Sequence, residues 1–74
     1  RGVGEPEGGY SGMSVNEGLV LGSLAMDGEQ SVEELTINTR LSGEVVNRVL
    51  GRLEGRGQVQ WQEDNGVGLW RLNG

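Results

Sequence analysis

From Ser14 to Gly57 the apolar positions recur at helical spacing, and beyond Gly57 they alternate. Ser14-Val15-Asn16-Glu17 has the form of a capping box: the serine hydroxyl accepts from the N–H of the glutamate, whose side chain reaches back to the serine N–H. Val20, Leu21, Leu24 and Ala25 then offer an apolar face, broadened by Leu19 and Met26, until Asp27-Gly28 stops the helix. Gly18 and Gly22 weaken its propensity by roughly 1 kcal/mol each relative to alanine. A second box, Ser31-Val32-Glu33-Glu34, opens a short helix with Val32, Leu35, Thr36 and Thr39 on one face and Ile37 pointing away. Thr39-Arg40-Leu41 turns the chain toward a third cap, Ser42. Val46, Val49, Leu50 and Leu53 stand at i, i+3, i+4 and i+7, the stripe of a core-facing helix over 42–56 that ends at Gly57.

After Gly57 the period falls to two. Gln58-Val59-Gln60-Trp61-Gln62 alternates, Val67 to Leu72 does so less strictly, and Asn65-Gly66 lies between them, the strongest short-range hairpin signal. A two-residue loop there pairs 64 with 67, 62 with 69, 61 with 70 and 59 with 72. Val59, Trp61, Trp70 and Leu72 share a face that covers the helices, leaving Gln60, Gln62, Leu69 and Arg71 outside.

The sequence of 74 residues allows one small domain with a modest core. Residues 1–13, with five glycines and the one proline, read as a flexible acidic tail or linker ahead of a domain over 14–74. The opening on Arg1 reads as that of a domain fragment. No apolar run is long enough to cross a bilayer. The expected setting is intracellular, nuclear or cytoplasmic.

Chemistry finds few residues to work with. The chain has no His, Cys or Lys, which leaves only carboxylates, hydroxyls and Tyr10 for acid–base or nucleophile work and argues against a zinc site. Glu33-Glu34 and Glu63-Asp64 read as solvated charge. The expectation is a non-catalytic protein with no metal or cofactor.

Net charge is −5, unevenly spread. Residues 1–39 hold seven acids against Arg1, whereas 40–74 hold five arginines against four acids. Arg48, Arg52 and Arg56, at i, i+4 and i+8, read as one exposed ridge on the third helix. Gly51 and Gly55 lie on the same side, where alanine would stabilise the helix and where a partner's backbone could come close.

Three capped helices, a tight turn between the second and third, then a hairpin resemble the winged helix-turn-helix superfamily, an α+β fold. The spacing of Leu35, Leu41, Val46, Leu50, Leu53 and Val59 carries the resemblance over about 14–74. Asn47-Arg48-Val49-Leu50 with Leu69-Trp70-Arg71-Leu72 looks most like the Zα subgroup, found in RNA-editing deaminases, nucleic-acid sensors and viral antagonists. Zα domains bind left-handed DNA or RNA, their recognition-helix asparagine matching Asn47 and their wing tryptophan Trp70. Gly51 stands where the subgroup has tyrosine, Gly43 where it has lysine, and Asn65-Gly66-Val67-Gly68 replaces its proline pair. A similar helix pattern occurs in the winged-helix tail of DNA-uptake processing proteins.

The resemblance implies duplex DNA or RNA as the partner, Z-form in the Zα reading, met by helix 42–56 and the wing. Arg40, Arg48 and Arg52 are the expected phosphate contacts, with Asn47 facing phosphate or base edges, Gly51 giving close approach, and Trp70 and Arg71 adding contacts from the wing. The competing expectation is a protein-interaction module using the acidic face around Glu29, Glu33, Glu34 and Ile37. In either case the chain is expected to be a monomer or weak dimer.

Overall fold

A computed structural model describes residues 14–73. The expected tail, residues 1–13, lies outside the described residues. Three helices, α1 (Val15–Asp27), α2 (Val32–Thr39) and α3 (Gly43–Gly55), precede two strands, β1 (Val59–Asp64) and β2 (Val67–Leu72), paired antiparallel.

Local chemistry sets the ends of each element. Ser14 and Ser31 form full capping boxes with Glu17 and Glu34, and the Ser42 hydroxyl accepts from the Val45 N–H. At the end of α3 the Gln58 N–H reaches the Leu53 carbonyl and the Gly57 N–H reaches that of Glu54. This is the Schellman arrangement, with Gly57 at φ 76° in the left-handed position it needs. The hairpin closes through Asn65 (φ 53°) and Gly66 (φ 83°), both positive as a type I′ turn requires. Its register pairs Asp64 with Val67, Gln62 with Leu69, Trp61 with Trp70 and Val59 with Leu72, as the alternation predicts.

The buried core comprises Val20 and Leu24 of α1, Leu35 of α2, Val46, Val49, Leu50 and Leu53 of α3, and Val59 of β1. Gln30, between α1 and α2, is buried with them and ties the layers together. Its backbone exchanges two hydrogen bonds with Trp70, at 2.7 and 3.0 Å, adding a one-residue bridge to the hairpin. Its amide donates to the Ser23 and Gly28 carbonyls and accepts from Asn38 at 2.8 Å. A buried amide satisfied this fully adds specificity at little desolvation cost.

Four expectations for the wing need correction. Trp61 does not cover the helices: it is half exposed, and its indole lies over Gly68, where an added Cβ would stand 2.5 Å from Nε1. Leu72, expected over the helices, is exposed, whereas Gln60 and Leu69, expected outside, are half-buried. Trp70 alone of the tryptophan pair packs against the core. Trp61 pairs with Trp70 two residues nearer the turn than Val59 does with Leu72, and its diagonal neighbour Gly68, which has no side chain, leaves room for the indole to lie across the strand.

Candidate nucleic-acid interface

The third helix presents two different sides to its surroundings. Asn47, Arg48 and Gly51 are exposed on the side away from the core. Arg48 makes only a loose i, i+4 pair with Glu44 at 3.8 Å, and both side chains are well exposed, so it is free to exchange that partner for another anion. Around Gly51 and Gly55 there is open space, and no described atom of the fold would meet a Cβ at either position. The glycines are therefore not demanded by packing, although each costs the helix about 1 kcal/mol relative to alanine.

Arg52 and Arg56 are exposed as well, but they take a different partner. Arg56 bonds Glu17 of α1 at 2.8 Å, and Arg52 reaches the other carboxylate oxygen at 3.4 Å. The expected single ridge is thus divided. A step of four residues advances an α-helix by about 40° beyond a full turn, so the row from Arg48 to Arg56 winds toward the α1 side. Glu17 pairs with its last two members, whose side chains stay 56% and 38% exposed.

Glu17 is 1% exposed, and it is the residue whose role the sequence reading missed. Its capping-box motif accounts for the bonds to Ser14, at 3.3 Å from the serine N–H and 3.2 Å to the hydroxyl. Nothing within that local motif signals the two arginines from α3. Burial pushes the Glu17 carboxyl up, but hydrogen bonds from Arg56, the Ser14 N–H and Arg52 outweigh it, and the group ends below its ordinary value. It is a charged anchor between α1 and the end of α3.

The remaining expected residues fall at three places. Arg40 caps α2 in the left-handed region at φ 65°, its N–H bonded to the Thr36 carbonyl and its side chain exposed. A non-glycine residue there costs about 1 kcal/mol or more, so the position keeps an arginine where glycine would be easier. Arg71 projects from β2 opposite Gln60; with the Gln60 carboxamide oxygen turned toward it, Nη2 and Nε donate at 2.6 and 2.9 Å. Trp70 is half-buried, and its backbone is engaged by Gln30. Beside it an open groove of about 500 Å³ runs between Ser31, Val32 and Glu33 of the α2 end and Trp61, Val67 and Gly68 of the wing. Ile37, on α2, is exposed, as are Glu33 and Glu34. Among the described residues no group of His, Cys, Asp or Glu is arranged to hold a metal, and no helix is long and apolar enough to cross a membrane.

Three helices, a tight α2–α3 turn and a hairpin wing make this chain a winged helix-turn-helix domain, and solved structures bear that out. A MarR family regulator from Neisseria meningitidis superposes with a TM-score of 0.73 at 28% identity, over 88% of this chain and 48% of its own. The apo-Zα domain of zebrafish PKZ gives 0.76 at 28% identity, over 82% of this chain and 100% of its own. A homodimeric winged helix-turn-helix DNA-binding domain from Mycobacterium bovis, a possible ArsR-family transcriptional regulator, gives 0.72 at 24%, over 80% of this chain and 54% of its own. The chain thus spans about half the length of the Neisseria regulator and of the solved Mycobacterium fragment, and the whole of the Zα domain. No protein-family model matches the sequence, and no curated protein does.

Proposed function

We propose that this domain binds duplex nucleic acid without catalysis, laying the outer side of α3 along a groove with the wing beside it. The observation that carries the reading is the exposed side of α3, where Asn47 and Arg48 flank Gly51 and the open space around that glycine leaves the helix backbone accessible. A groove-docked helix needs a cation for phosphate, a polar side chain for base edges or phosphate, and room for close approach. Arg40 and Arg71 add phosphate contacts from either end of the surface. With Arg52 held by Glu17, Arg48 becomes the principal cation of α3, and Arg52 a second-rank contact. The DNA-binding Mycobacterium domain and the MarR regulator support the class of partner.

Three phosphate contacts give a shallow salt dependence: a slope near −3 in log K against log salt, or about a 40-fold loss between 50 and 200 mM. Fluorescence anisotropy with a labelled duplex measures it. Arg48→Ala should lower affinity roughly fivefold or more and reduce the slope by about one. An unchanged affinity and slope in a folded Arg48→Ala protein would remove the reading.

Similarity across the full Zα domain of PKZ favours the left-handed duplex as the form bound. Asn47 and Trp70 stand at the Zα positions, whereas Gly51 lacks the tyrosine ring. Circular dichroism of an alternating CG duplex tests this: inversion of the spectrum on titration supports Z-form binding, and an unaltered B-form spectrum at saturation excludes it. The second reading, a protein-docking module, rests on exposed Ile37 beside Glu33 and Glu34 and on the groove between Glu33 and the wing tryptophans. Amide shift changes confined to α2 on adding a basic peptide, with none on adding duplex, would favour it.

A further inference from the structure

The helix α1 is apolar on both sides. Val20 and Leu24 face the core, while Val15, Gly18, Leu19, Gly22, Ala25 and Met26 lie on the opposite side, all exposed. Val15 is 79% exposed, Leu19 43% and Met26 86%. The helix carries only two charged side chains, Glu17, buried against α3, and Asp27, its last residue. A solvent face with no charge over three turns is unlike that of an ordinary surface helix, which is polar away from the core. The glycines add a separate observation. A Cβ at Gly18 or Gly22 would meet nothing within the described fold, so neither is required by intramolecular packing. Both lower helix propensity, and both let another helix approach closely.

We propose that this face is covered by a second copy of the chain, with the two α1 helices packed antiparallel about a two-fold axis between residues 20 and 21. The pattern is complementary to itself under that operation, as an isologous interface demands. Leu19 of each copy seats over Gly22 of the other, and Val15 meets Met26. Charge complements the fit: Asp27 of each copy comes to the positive end of the other α1, at Ser14. The face has no cation to meet phosphate or a lipid headgroup, which argues against nucleic acid and membrane as its cover. The proposal stands apart from the nucleic-acid reading, since none of these residues belongs to the α3 or wing surface.

Sedimentation equilibrium of the full chain up to about 1 mM tests it, with a Kd of about 10–100 µM expected for so small an interface. Leu19→Glu should raise the Kd by about tenfold or more by burying a charge at the two-fold. Gly22→Leu should also dissociate the dimer while raising the melting temperature of the monomer, an effect that misfolding would not produce. Ile37→Glu places the same charge on exposed α2 and should leave the Kd within about twofold. A monomer at the highest concentration overturns the proposal. Nuclear Overhauser contacts from Tyr10 or Met13 to Leu19 in that monomer would assign the cover to the chain's own N-terminal segment; their absence would assign it to another protein. Equal dissociation by Ile37→Glu and Leu19→Glu would overturn it as well.

Discussion

Arg56, the C-cap of α3, donates to Glu17 in the first turn of α1 at 2.8 Å, and so joins the two helices at a carboxylate that is almost fully buried. Arg52 supports the same group at longer range. Among the described residues the arrangement joins three charged groups, with the anion inside and the cations partly in water. Removing a cation strands a buried charge, whereas removing the anion releases two arginines that solvent can take up. Arg56→Ala is therefore expected to cost about 2–3 kcal/mol, and Glu17→Gln about 1 kcal/mol, in urea unfolding followed by circular dichroism. A smaller loss for Arg56→Ala than for Glu17→Gln would contradict the burial argument.

The same carboxylate sets an acid limit. Its folded pKa lies below the ordinary value of 4.5, so its contribution is present in full above that value and is lost as pH falls through the lower folded value. Melting temperature should decline below about pH 4.5, and the wild type should lose more there than Glu17→Gln, whose neutral side chain does not titrate. Thermal melts of the two proteins from neutral pH down to about pH 3 give the comparison. Parallel curves would show that other carboxylates carry the effect.

Stability and binding should move in opposite directions at the α3 glycines. Because a Cβ at Gly51 or Gly55 meets nothing in the fold, alanine at either should stabilise the domain by about 0.5–1 kcal/mol. Gly51→Ala should at the same time weaken duplex binding, by roughly threefold or more, if α3 is the docking helix. A more stable protein with undiminished affinity would move the contact away from Gly51.

On the wing, Gly68→Ala forces the Trp61 ring from its place, since the new Cβ would fall 2.5–3.1 Å from three indole atoms. The ring is half exposed and can swing outward, so the cost should be modest, about 0.5–1 kcal/mol. The Trp61 indole N–H resonance should shift strongly while the buried core signals stay in place. An unmoved indole signal would show that the ring does not rest on Gly68.

Much of this fold is local chemistry. The capping boxes at Ser14 and Ser31 span four residues, the Asn65-Gly66 turn spans two, and the hairpin register follows from the turn and the alternation around it. Interactions of that reach are legible along the chain because the backbone fixes their geometry. The core stripe of α3 was legible for the same reason, as it repeats within a single helix. The candidate site was legible only in outline. Asn47, Arg48 and Gly51 lie on one exposed side, as the helical spacing implies, but the pairing of Arg52 with Glu17 is not visible in that spacing.

The elements, their caps and the pairing of the wing are therefore written in short stretches of the chain. Which arginines pair with Glu17, how Gln30 joins the helices to Trp70, and how far the outer side of α1 is exposed follow from packing alone. The physical reason is separation. Glu17 and Arg52 are 35 residues apart, and their meeting depends on how α1 and α3 rotate against each other as the whole core packs. No helical wheel drawn for one element contains that angle. It is set by Val20, Leu24, Val49 and Leu53 fitting together, and the charges follow where the core takes them.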